Sequence, residues 1–175
     1  MINTDLTLKE RMKSLQAIRD YKLDKDSYIL CHIDGRAFSK MIKKRFRLPF
    51  DDEFMRMMDD TAAYVCENVQ GTKLAYVQSD EINIVITNFK YEGSELIRGS
   101  SFFDYRLCKL QSIIASLATA KFNQLYTLRM LSMDSDKGVN QRINEMPLIQ
   151  FDCKCWDVKM YEDMFAWFKF RQNDC

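Results

Sequence analysis

Ser27-Tyr28-Ile29-Leu30-Cys31-His32-Ile33-Asp34-Gly35 is the stretch on which the fold turns. It is short and apolar through Ile33, and Asp34-Gly35 stops it, so it reads as a buried strand running into a turn. On its N-terminal side, Thr7-x-x-Glu10 is a capping box. Leu8, Met12, Leu15 and Arg19 keep helical spacing behind it, which predicts a helix over 7–21. On its C-terminal side a short helix over 37–45 is expected, then a break at Pro49. Asp51 or Asp52 caps a longer helix to about Val69, with Phe54, Met58, Thr61, Val65 and Val69 on one face and Gly71 closing it. Leu74–Gln78 and Ile82–Thr87 are apolar runs joined by Ser79-Asp80-Glu81, the pattern of an antiparallel hairpin. After a glycine-containing loop, Phe103, Leu107, Leu110, Ile114, Leu117 and Lys121 mark a long helix over 102–127. Residues 132–147 are polar and irregular. Leu148-Ile149-Gln150-Phe151-Asp152 begins a fourth strand, and a last helix runs from about 158.

The core of this order is a βαββαβ unit. It predicts an α+β fold of ferredoxin-like plan, an antiparallel sheet with helices mainly on one face. A chain of 175 residues with 47% apolar and 29% charged side chains, 5 Gly and 2 Pro, fits one globular domain and excludes disordered or collagen-like chains. No apolar run approaches the roughly 20 residues that cross a bilayer, and Met1-Ile2-Asn3-Thr4-Asp5 lacks a signal-peptide pattern. A soluble cytoplasmic protein without a membrane partner is expected. Six scattered cysteines without a CxxC pair, and a single His, argue for reduced thiols and against a Cys/His zinc site. The net charge of +1 draws no polyanion to the whole surface. One local stretch could: Lys40, Lys43, Lys44, Arg45 and Arg47 are either a solvated helix face or an RNA-binding patch.

Asp34 ends the first strand, and Asp80 lies in the turn between the second and third. In a ferredoxin-like sheet the first and third strands are adjacent, so both acids converge at one sheet edge. Hard oxygen ligands at an open edge suit Mg²⁺, and two such ions about 3.5–4 Å apart can serve phosphoryl-type transfer. Gly35 leaves the neighbouring backbone open to phosphate or metal. Glu81, next along the strand from Asp80, points the other way and is the weaker ligand. Either motif alone reads as a turn. Their joint placement leaves the turn and the metal pair equally supported.

Three segments are similar to the tRNA-histidine guanylyltransferase family and its bacterial, archaeal and phage-type relatives. They are His32-Ile33-Asp34-Gly35-Arg36-Ala37-Phe38-Ser39-Lys40, Pro49-Phe50-Asp51 and Tyr76-Val77-Gln78-Ser79-Asp80-Glu81. Arg106-x-x-Lys109-Leu110-x-Ser112-x-x-Ala115-Ser116, Phe151-Asp152 and Arg171-Gln172-x-Asp174-Cys175 extend the likeness over nearly the whole chain.

The resemblance implies a polymerase-palm-like domain adding nucleotides, guanylate above all, to the tRNA 5′ end in the 3′-to-5′ direction. That reaction serves tRNA-histidine maturation or 5′-end repair, with two Mg²⁺ ions and with GTP and ATP as substrates. It implies Asp34, Gly35 and Asp80 at the metals and Glu81 beside them in the catalytic centre. Arg36, Ala37, Phe38, Ser39, Ser79, Arg106, Lys109 and Ser112 would lie at the nucleotide, and the chain would assemble as a homo-tetramer. Three departures stand out: His32 where the family commonly has Arg, Leu48 where it often has Lys, and Cys153-Lys154 after Phe-Asp. The family also continues past the Arg-Gln-x-Asp-Cys element with an Asn-bearing stretch, whereas this sequence ends at Cys175. A palm domain over 1–175 without that extension is therefore expected. The alternatives are a non-catalytic nucleotide- or RNA-binding relative, and another palm-type enzyme such as a nucleotidyl cyclase.

Overall fold

A computed structural model describes residues 7–17, 21–38, 45–47, 49, 51–132 and 138–174. In chain order the elements are α1 (Leu8–Ala17), β1 (Tyr28–Gly35), α2 (Asp52–Asn68), β2 (Thr72–Gln78), β3 (Glu81–Ile86), β4 (Phe89–Glu92) and β5 (Glu95–Arg98). A short turn of helix (Phe102–Tyr105) then leads into α3 (Leu107–Ser132), followed by α4 (Val139–Asn144), β6 (Phe151–Val158) and α5 (Tyr161–Asn173). Most of the helix expected over 37–45 lies outside the described residues.

β2-β3-β1-β6 form a four-stranded sheet in which every neighbouring pair is antiparallel. β1 and β3 are central and adjacent, as the βαββαβ order requires. The period of two along β1 gives the sheet its two coats. Ile29, Cys31 and Ile33 join Ile82, Ile84 and Ile86 beneath α2 and α3. Leu30 and Val85 face the other way, against Met164 of α5 and the rings of Trp156, Trp167 and Phe168. The two long helices thus cover one face, and α5 covers part of the other.

α2 starts where Asp51 Oδ1 accepts the Phe54 N–H at 2.9 Å, while Oδ2 accepts the Arg47 N–H at 2.9 Å. It buries Phe54, Met57, Met58, Thr61, Ala62 and Val65. α3 buries Leu110, Ile114, Ala118, Phe122 and Tyr126, one residue per turn along a single stripe. Gly71, at φ +89, turns the chain from α2 into β2, and a Cβ there would come within 2.4 Å of the Thr87 carbonyl oxygen. The capping box holds as well: Glu10 Oε2 accepts the Thr7 N–H at 2.9 Å, and Thr7 Oγ1 accepts the Glu10 N–H at 3.3 Å. None of α1 is buried.

The structure departs from the sequence pattern in three places. The segment expected to be a plain loop carries the β4–β5 hairpin, paired from Phe89↔Arg98 to Glu92↔Glu95. The long helix begins at Leu107 rather than 102, because Phe103, Asp104 and Tyr105 have φ of 50, 55 and 49. A left-handed turn of three non-glycine residues costs about 1–2 kcal/mol per residue. It is offset by burial of Tyr105, by Leu23 N–H to Tyr105 O at 3.0 Å, and by salt bridges from Lys22 and Lys25 to Asp104. Hydrogen bonds from these two lysines hold the Asp104 carboxyl down at about 2. Finally, the polar stretch before the fourth strand contains α4, and the strand itself begins at Phe151.

Candidate metal centre at the acid edge of the sheet

β1 ends at an edge to which three strands bring carboxylates. Asp34 lies opposite Glu81 on β3 and opposite Asp152 on β6, and Gly35 lies opposite Phe151. Directly opposed residues share a face, so Asp34, Glu81 and Asp152 form one row on the side that α5 covers. His32 belongs to the next row, opposite Asn83 and Lys154. Donor atoms of His32, Asp34 and Glu81 all fall within 4.8 Å of one another. The helix-side anchor of this edge is α3. Asn123 accepts the Ile149 N–H at 3.0 Å and donates to Ile149 O at 2.8 Å, and Thr119 Oγ1 accepts the Phe151 N–H at 3.1 Å.

Asp80 enters from the β2–β3 turn. Ser79 makes that turn with φ 52, and its hydroxyl donates to Asp80 Oδ1 at 3.0 Å. Burial pushes the Asp34 carboxyl above its ordinary range, and the charges of Asp80, Glu81 and Asp152 add to the rise while His32 opposes it. Burial raises Asp80 too, with the Glu81 charge adding and the Ser79 hydrogen bond opposing. Half-buried carboxylates that destabilise one another's charge are a donor set short of positive charge. All-oxygen donors of this kind fit a hard divalent cation such as Mg²⁺. Asp34, Asp80 and the Gly35 carbonyl would hold it.

Glu81 is occupied otherwise. Arg171 of α5 forks onto it, with Nη2 at 2.7 Å from both carboxylate oxygens and Nε at 3.1 Å from Oε2. Nη1 reaches Asp174 at 2.8 Å. Beside this pair, Trp167 Nε1 donates to Asn83 Oδ1 at 3.1 Å, and His32 Nδ1 meets the same oxygen at 2.9 Å. An indole N–H can only donate, so Asn83 Oδ1 is the acceptor and His32 Nδ1 the second donor. These partners are absent from the sequence-level site. The Arg171-Gln172-x-Asp174 motif is visible in the sequence, but nothing there shows that it folds back onto β3.

The other expected site residues are placed as follows. Gly35 to Phe38 form a tight turn in which Ala37 has φ 59 and Arg36 N–H donates to Gln150 O at 2.8 Å. A Cβ on Gly35 would come within 2.3 Å of the Phe38 ring. That ring is part of the core. It is buried among Phe54, Phe122 and Phe151, so Phe38 has only its main chain to offer a nucleotide. Arg36 and Ser79 are exposed at the edge. Arg106 immediately precedes α3 and forms an isolated backbone β-bridge with Lys22, and Lys109 and Ser112 lie in the first two turns of the helix. Arg106 stands about 20 Å along the helix axis from Thr119, which meets Phe151 at the acid edge. Arg106 therefore lies toward the other end of α3 from the acid edge. Arg45 donates to Glu145 O at 3.5 Å, and Arg47 is exposed. Ser39, Lys40, Lys43 and Lys44 lie outside the described residues, as does Leu48.

The model of a known family, that of tRNAHis guanylyltransferase (Thg1), matches residues 9–159. The chain belongs to this family. An uncharacterised protein of Acanthamoeba polyphaga mimivirus is 30% identical to the chain over 120 residues, which are 68% of this chain and 40% of that protein. The tRNA(His) guanylyltransferase of Schizosaccharomyces pombe is 30% identical over 155 residues, 86% of this chain and 50% of that one. This chain thus spans about half the length of the curated relatives it matches. A bacterial Thg1-like protein, 30% identical, superposes with a TM-score of 0.77 in its complex with GTP and 0.79 in its complex with ATP. Each superposition covers 96% of this chain, and 70% and 65% of the other.

Proposed function

We propose that the chain is the palm-like catalytic domain of a Mg²⁺-dependent tRNA nucleotidyltransferase, extending tRNA 5′ ends in the 3′-to-5′ direction with GTP and ATP as its nucleotides. The observation that carries this reading is the Asp34–Asp80 pair, two carboxylates driven above their ordinary range at the edge where Gly35 turns the chain. Family membership and the nucleotide complexes of the bacterial relative support the same assignment. In the step proposed, the 3′-hydroxyl oxygen of an incoming GTP attacks the α-phosphorus of a 5′-triphosphorylated tRNA. A phosphodiester forms, pyrophosphate leaves, and the new 5′ end keeps the triphosphate of the incoming nucleotide. A tRNA 5′-monophosphate would first be adenylylated by ATP, and AMP would then be the leaving group. When bound, a pair of Mg²⁺ ions supplies acidity to the attacking hydroxyl and charge neutralisation to the leaving pyrophosphate.

The protein's own work is positioning and electrostatics. Asp34, Asp80 and the Gly35 carbonyl would hold the cations, while Ser79 orients Asp80. Glu81 completes the acid row, and the Arg36–Ser39 turn offers main chain to the base and sugar. Arg106, Lys109 and Ser112 would take a triphosphate away from the acid row, and Lys40, Lys43, Lys44, Arg45 and Arg47 would take RNA phosphates. No helix among the described residues is long and apolar enough to cross a membrane. The cytoplasm, where tRNA and nucleoside triphosphates coexist, is the proposed compartment, and a homo-tetramer the proposed assembly.

Labelled GTP supplied with two 5′-triphosphorylated RNAs tests the substrate assignment. One is tRNA-histidine lacking its extra guanine, and the other is a tRNA shortened at its 5′ end. Label in the first marks maturation, and label in the second marks repair. Cyclic nucleotide from GTP without RNA would instead favour a nucleotidyl cyclase. GTP binding with no product of either kind would favour a non-catalytic relative.

A further inference from the structure

The geometry points to Arg171 as a positioning residue: we propose that its fork on Glu81 keeps that carboxylate out of cation coordination and so reserves Asp34 for partnership with Asp80. The inference rests on the proposed reading of the acid edge as a metal centre. Register puts Glu81, not Asp80, directly across from Asp34. Donor atoms of His32, Asp34 and Glu81 lie within 4.8 Å of one another, so the Asp34 and Glu81 carboxylates are close enough to share one ion even with His32 Nδ1–H committed to Asn83. A cation drawn to that set would sit between β1 and β3 under α5, and would take Asp34 away from the turn that carries Asp80.

Arg171 prevents this in two ways. Its Nη2 and Nε occupy both oxygens of Glu81 at 2.7–3.1 Å. It also supplies, from the protein itself, the positive charge that the Glu81 carboxylate needs. The fork is held firmly, since the Arg171 and Glu81 side chains are 13% and 20% exposed. The guanidinium lies over the rings of Trp167 and Phe170 at 5.9 and 5.4 Å, and Asp174 holds its remaining nitrogen at 2.8 Å. Trp167 ties the same helix to the row through Asn83, whose Oδ1 also takes His32 Nδ1. A planar fork does this work better than a lysine, which offers a mobile point charge. α5 therefore helps select which carboxylates bind the cation, beyond covering the sheet.

Mn²⁺ binding to the full chain, read by the EPR signal of the free ion and without nucleotide or RNA, tests the proposal. Arg171→Gln is expected to tighten Mn²⁺ binding by about 10-fold or to bind one ion more than the parent does, a change of the size that altered ligand shells produce. The double variant Arg171→Gln/Glu81→Gln should lose that gain. Arg171→Lys, which keeps the charge and much of the packing, should show a smaller gain in the same direction. It carries the test should Arg171→Gln fail to fold. A purely structural arginine would leave Mn²⁺ binding unchanged or weaken it. Either result in a folded variant overturns the proposal, as does a gain that survives in the double variant. Failure of the metal-centre reading itself would look different: Mn²⁺ binding by the parent chain would be indifferent to Asp80→Ala.

Discussion

Asp34 and Asp80 are costly residues for a folded chain to keep. Both carboxyls are raised above 3.8, their ordinary value, by burial and by neighbouring negative charge. From pH 3.8 up to their folded values, the native state holds protons that the unfolded chain has already released. Stability of the cation-free protein therefore falls as pH rises through that window, and stays lowered above it. Asp80→Asn cannot ionise and escapes this loss. In thermal unfolding with EDTA, its advantage over the parent is expected to grow from acidic to neutral pH, and Mg²⁺ should narrow it by stabilising the parent alone. A parent at least as stable as Asp80→Asn at neutral pH would contradict this account. At the same scale, His32 is a satisfied side chain rather than a lone base, since Asn83 holds its Nδ1. Gly35 is required less for its backbone than for the Phe38 ring that fills the space a Cβ would take.

The elements that announced themselves are those whose pattern and punctuation agree. β1 has a continuous apolar run closed by Asp34-Gly35, and α2 has a cap, an apolar stripe and a terminal glycine. The cap of α2 is open to measurement. Asp51 accepts two backbone N–H groups, so Asp51→Ala is expected to lower stability by about 1–2 kcal/mol, read as a shift in the urea midpoint. No shift would mean that another group caps α2. Elements that stayed hidden have physical reasons. β4 and β5 are four residues each, mostly exposed, and lack a buried face that would impose alternation. The start of α3 was displaced by a left-handed turn of Phe103, Asp104 and Tyr105, in which only Asp104 is of a type enriched at positive φ and the two aromatic residues give no such signal. The acid pair was legible because strand order alone brings its two turns to one edge. The Glu81–Arg171 fork was not, since it joins residues 90 apart through a helix whose docking face no local motif declares.

At the scale of the molecule, one edge of a four-stranded sheet concentrates negative charge in a chain whose net charge is only +1. α3 fixes that edge from one face through Thr119 and Asn123, and α5 fixes it from the other through Arg171 and Trp167. The core between carries free thiols. Cys31, Cys153 and Cys155 are buried on the helix side, with Cys153 and Cys155 sulfurs 3.5 Å apart. Burial keeps the Cys31 thiol well above the ordinary range, as suits packing rather than reactivity.

Cation-dependent nucleotide transfer is the activity proposed for the Asp34–Asp80 edge. It is tested most directly by incorporation of labelled GTP into 5′-triphosphorylated tRNA with Mg²⁺, comparing the parent with Asp80→Ala. Mg²⁺-dependent label on the tRNA is expected from the parent, with at least a 100-fold loss in the variant, on the order of the loss from removing one charge-stabilising group in an active site. Equal incorporation by both proteins, or none by a parent that still binds GTP, would contradict it.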